Sequence, residues 1–131
     1  MTDRAEIIEK IEILEELARR KKYNQLKKYA PYQKQKEFHA AKESQKLLGA
    51  GNQLGKTYAG AAEAAYHSTG LYPEWWEGRR FLKPTVGWVG GVSGEVIRDT
   101  TQKMLVGRVQ DSTAVGTGLI PRDCIIDLSR S

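Results

Sequence analysis

The sequence predicts an α/β fold: a parallel β-sheet with flanking helices, preceded by an N-terminal helix. Two observations carry that expectation. Short apolar runs at residues 45–50, 85–91 and 124–128 alternate with helical patterns at 56–69 and 93–108, the order in which a parallel sheet is built. The stretch "LLGAGNQLGKTYAG", residues 47 to 60, ends in Gly-Lys-Thr where a strand pattern gives way to a helix pattern, which is the setting of a phosphate-binding loop. The chain has 131 residues with 40% apolar and 28% charged content, enough for one modest core.

The first element is a helix over residues 3 to about 28. Ile7, Ile8, Ile11, Leu14 and Leu17 recur at helical spacing, giving a narrow apolar stripe that calls for something to pack on. Asp3 with Glu6 three residues on suits a capping box. Pro31 ends the pattern, and a second helix is expected from Tyr32 to Glu43 with Phe38 and Ala41 inward. The helix after the loop, "KTYAGAAEAAYHSTG", runs to a capping glycine at Gly70; its small residues would let it lie close to a sheet. "LYPEWWEGRRFLKP" is a surface loop with aromatic anchors, and Trp88 in "TVGWVGG" is expected in the core or anchoring a loop. In "SGEVIRDTTQKMLVGR" the inward face holds Val96, Thr100, Met104 and Leu105. "VQDSTAVGTGLIPRD" is a loop rich in turn residues.

The phosphate loop has Ala50 where the G-x-x-x-x-G-K-[ST] pattern starts with glycine. That position ends the strand, whereas the tightest approach to phosphate comes later, at Gly55. The amides of Gly51, Asn52, Gln53, Leu54, Gly55, Lys56 and Thr57 would form a concave array of donors backed by a helix dipole. Lys56 would meet the β and γ phosphates, and the Thr57 hydroxyl would meet Mg²⁺.

"PYQKQKEF", followed about twenty residues on by "GNQLGKT", then "PEWWEGRRF" and "VGWVGGVSGEVIRDTTQKMLVGR" resemble the large terminase subunit of tailed bacteriophages, in the branch of short-tailed, headful-packaging phages. The resemblance runs from about Tyr29 to Asp127. It implies an ATP-driven motor that packages double-stranded DNA into a procapsid, with a C-terminal nuclease. It implies an incomplete P-loop NTPase sheet of the ASCE type over residues 29–131, residues 1–28 being a separate amphipathic helix. By the same resemblance Tyr32 and Gln35 match an adenine-recognition motif, and the cofactors are ATP and Mg²⁺. An arginine that some members carry two residues before Leu-Gly-Lys is here Asn52; Arg79, Arg80, Arg98 or a neighbouring subunit are the alternatives for that role. "CIIDLSRS" offers Asp127 without the paired acid that hydrolysis requires, and no nuclease carboxylate cluster is present. The expected activity is therefore nucleotide binding with negligible hydrolysis. Partners implied are DNA, the terminase small subunit and the portal protein, in the host bacterial cytoplasm. Self-association through unpaired sheet edges is a further expectation.

Charge points to a second class of function. Residues 1–18 carry six acids against two bases, whereas residues 19–46 carry ten bases against two acids. The bland meaning of the basic block is a solvated helical face; the sharper one is contact with phosphates. On this alternative the chain is a non-catalytic binding module or a prophage remnant, docking the small subunit, portal or DNA through its N-terminal helix and basic block. No apolar run approaches the roughly 20 residues of a spanning helix. Cys124 stands alone and is expected to be a small buried apolar residue. One Cys and two His argue against a zinc site within the chain.

Overall fold

The computed structural model describes residues 3–49, 55–108 and 111–129. It contains α1 (Arg4–Lys22), a 3₁₀ turn (Gln25–Lys28), α2 (Gln33–Ala40), α3 (Lys56–Thr69) and α4 (Gly94–Val96). A π-helical segment (Ile97–Gln102), α5 (Lys103–Val106) and a 3₁₀ turn (Arg122–Cys124) complete it. The helices lie within the segments that periodicity marks, but α1 ends at Lys22 rather than near residue 28, and Val96, expected inward, is exposed. α3 starts after Gly55 and stops at Gly70, whose φ of 74° is the left-handed cap conformation. The Ser93 hydroxyl accepts from the Val96 amide and starts the helical run there. Asp3 is the N-cap of α1 but makes no side-chain capping bond, so the capping box does not form. α2 is shorter than expected, ending at Ala40.

The parallel sheet does not form. Among the described residues there is no strand, and the segments expected as strands are unpaired. Each leaves a large apolar side chain in solvent: Leu47 in the first, Val86 and Trp88 in the second, Ile126 in the third. A short apolar run states that a segment suits a sheet, but a ladder needs a neighbour about 4.8 Å away, and these segments do not supply one another. Among the described residues there is therefore no sheet edge of the kind expected to pair with another copy. Trp88 is 95% exposed and anchors nothing, and Cys124 is exposed rather than buried.

The core is assembled on α3 instead. Ala61, Ala62, Ala65 and Tyr66 pack with Leu26, Tyr29, Trp76 and Leu119. The alanines that would have faced a sheet admit aromatic rings. The Trp76 ring centroid lies 5.2 Å from Tyr66 and from His39 and 5.3 Å from Tyr72, distances at which aromatic pairs attract beyond their buried area. α5 is held by the chain that follows it. The carbonyls of Met104, Leu105 and Val106 accept from the amides of Leu119, Ile120 and Gly116 at 2.7–2.9 Å, satisfying helix-end groups that would otherwise be orphaned. The end of α1 is tied in by the Arg122 amide donating to the Tyr23 carbonyl and the Tyr23 hydroxyl donating to the Thr113 carbonyl.

Candidate functional site

Gly55 and α2 define one end of the site. Gly55 has φ 69° and ψ 29°, a left-handed conformation that costs a residue with a Cβ about 1–2 kcal/mol. A Cβ there would also sit 2.7 Å from the Gln35 amide nitrogen. Gln35 is buried on α2. Its Oε1 accepts from the Tyr32 backbone amide at 2.8 Å, and its Nε2 donates to the Gly55 carbonyl at 3.1 Å. The two residues that the terminase resemblance pairs thus share the start of α2, and one of them grips the residue that opens α3. The Gln35 amide has two N–H donors and an oxygen with two lone pairs; among the described residues these two bonds use one of each. Tyr32 is exposed.

Tyr32, Gln35, Phe38, Lys46, Leu47 and Leu48 line a cavity of about 530 Å³, within the range typical of small-molecule sites. Lys56 and Thr57 form the first turn of α3, Lys56 half-buried and Thr57 exposed. Ala50, Gly51, Asn52, Gln53 and Leu54 lie outside the described residues. Of the arginines weighed above, Arg98 pairs with Asp99, and Arg80 stacks over the Tyr72 ring and donates to the Trp76 carbonyl. Asp127 is exposed.

Behind the cavity lies a buried polar cluster. Glu63 of α3 is 7% exposed. Its Oε1 meets the Lys46 ammonium and, at 3.4 Å, His67 Nε2; its Oε2 lies 3.5 Å from His39 Nδ1. His39 Nε2 is 2.8 Å from the Tyr29 hydroxyl. The carboxylate beside Nδ1 favours the tautomer protonated there, so Nε2 accepts from Tyr29. The Tyr72 hydroxyl accepts from the Phe81 amide and meets His67 Nδ1 at 2.8 Å. Burial pushes the Glu63 carboxyl up, but the His39 ring and the Lys46 ammonium outweigh it and hold it below its usual range. Burial holds His67 below its ordinary value as well, and burial pushes the Tyr66 hydroxyl up to about 12. This cluster is absent from the sequence reading, although Gln35 and His39, and Glu63 and His67, stand four apart on shared helix faces.

The cluster makes stability depend on pH. Glu63 and His67 both have folded-state pKa values below their unfolded ones, so the unfolded chain binds more protons below each ordinary value, 6.5 for His67 and 4.5 for Glu63. Stability is therefore lost as pH falls, first through the His67 window and then through the Glu63 window. Urea midpoints measured at pH 8, 6 and 4 are expected to fall at each step; a midpoint that holds steady across the series contradicts the charge assignment.

Among the described residues no group of three or more His, Cys, Asp and Glu is arranged to hold a metal, and no helix is long and apolar enough to cross a membrane. No family model matches the chain, and no solved structure matches it. It is similar to a curated protein, "Terminase, large subunit" of Salmonella phage P22, with 40% identity over 99 residues, covering 66% of this chain and 20% of that protein. The chain thus spans about a fifth of the length of the relative it matches. Two residues in five are identical over that span, so the chain is similar to a fragment of a phage terminase large subunit.

Proposed function

We propose that the chain contributes to phage DNA packaging as part of a terminase large subunit, and that it binds ATP with Mg²⁺ between α2 and the start of α3. The observation that carries this reading is Gly55: a left-handed glycine opening α3, gripped by Gln35 from the wall of an adjoining cavity. In this reading the adenine enters that cavity against Tyr32 and meets the second N–H and second lone pair of the Gln35 amide. The phosphates lie over the amides of residues 51–57 and the ammonium of Lys56. Mg²⁺ demands six oxygen ligands, and this chain offers the Thr57 hydroxyl, so the donor set fits the ion only together with nucleotide phosphates and water. When bound, the ion would neutralise charge on those phosphates. Double-stranded DNA, the small subunit and the portal are the partners such a motor would meet in the host cytoplasm, and turnover by this chain alone is expected to be negligible.

Titration of the chain with Mg·ATP tests the proposal. Lys56→Ala removes a charge-assisted contact of about 1.5–3 kcal/mol, so affinity should fall about tenfold to a hundredfold. Equal affinities for the wild type and the variant, with circular dichroism unchanged, would reject nucleotide binding at this loop.

A further inference from the structure

α1 buries none of its residues. Ile7, Ile8, Ile11, Leu14 and Leu17 are 46–64% exposed along one side of it, and the contacts that tie it to the rest of the chain are made by Tyr23, beyond its last turn. Ile7, Ile11, Leu14 and Ala18 follow the alternating four- and three-residue spacing of a two-helix seam. The flanking charge is polarised. Asp3, Glu6 and Glu9 crowd the first turns, while Arg19, Arg20, Lys21 and Lys22 fill the last.

That polarity selects the occupant. A parallel pair of α1 helices would set acid against acid and base against base. An antiparallel pair sets the acidic end of each against the basic end of the other, with Ile11 opposite Leu14 and Ile7 opposite Ala18. Nucleic acid does not suit this seam, because acids line its first half. We propose that α1 is a homotypic docking surface, which pairs with α1 of a second copy of this chain in an antiparallel two-helix seam. A helix of 19 residues spans about 28 Å, long enough for few interlocking layers, so the association should be weak, with a dissociation constant on the order of 10–100 µM.

Sedimentation equilibrium of the full chain across that range tests the proposal. The wild type should pass from monomer to dimer, and Ile11→Lys should stay monomeric with its circular dichroism unchanged. Trp88→Ser, which changes an exposed residue elsewhere, should dimerise like the wild type. Orientation is read by oxidative crosslinking in a Cys124→Ser background. A mixture of Arg4→Cys and Lys21→Cys chains should yield the mixed disulfide in preference to either same-site disulfide. A wild type that stays monomeric overturns the proposal, as does association that survives Ile11→Lys, association lost in Trp88→Ser, or same-site crosslinks in excess.

Discussion

Trp76→Ala is expected to cost about 3–5 kcal/mol, the range for truncating a large buried aromatic, and to leave the chain without a cooperative unfolding transition. Trp76 is 4% exposed. Its ring is within 6 Å, centroid to centroid, of His39, Tyr66, His67, Tyr72 and Trp75. Its indole N–H donates to the Arg79 carbonyl at 3.1 Å. The small side chains of α3 beneath it cannot expand to fill the space left behind, so the cavity would persist. Domains are stable by only about 5–15 kcal/mol, and this core is small. Trp88→Ala provides the contrast, since its 95% exposed ring should change stability by no more than about 0.5 kcal/mol. Urea denaturation followed by circular dichroism separates the two; equal losses would mean that the core is not organised around Trp76.

Lys46→Met is expected to destabilise by about 2–4 kcal/mol at pH 8, because it leaves the buried Glu63 carboxylate without its cation. The methionine keeps most of the aliphatic stem but loses the ammonium, which lies over the Phe38 ring and bridges Glu63 and the Phe38 carbonyl. The groups left around the carboxylate are His39 and His67, with Tyr29 and Tyr72 behind them. His67, held below its ordinary value by burial and by the nearby Lys46 charge, can replace the lost cation by taking up a proton, at a smaller cost as pH falls. The penalty relative to wild type should therefore shrink between pH 8 and pH 6, opposite in sign to the acid sensitivity of the wild type itself. Paired urea titrations at the two pH values measure this difference, and a penalty that is the same at both would show that His67 does not answer to Glu63.

What could be read from the sequence divides by the range of the interactions involved. α3 is set by local features, a glycine at each end and alanines between, and it lies where those features place it. The helical run after Ser93 is likewise local. The sheet was a non-local expectation: residues 45–50, 85–91 and 124–128 each carry strand-like composition, but composition does not say whether another strand lies alongside. The same limit hid the polar cluster, because Lys46, Glu63 and His39 come from three separate segments. Tyr32 and Gln35 were marked only by the resemblance of "PYQKQKEF" to a terminase motif, and the hydrogen bond from Gln35 to Gly55 spans twenty residues and leaves no mark on spacing.

The end of α5 has a consequence for how the molecule opens. Its last carbonyls are bonded to amides ten or more residues downstream, and a Cβ at Gly118 would fall 2.5–2.6 Å from the backbone of Leu105 and Met104. Helix and returning segment therefore cannot separate piecemeal. Deuterium uptake at the Leu119 and Ile120 amides reports the unravelling of a helix to which neither residue belongs, and the two should exchange as one block.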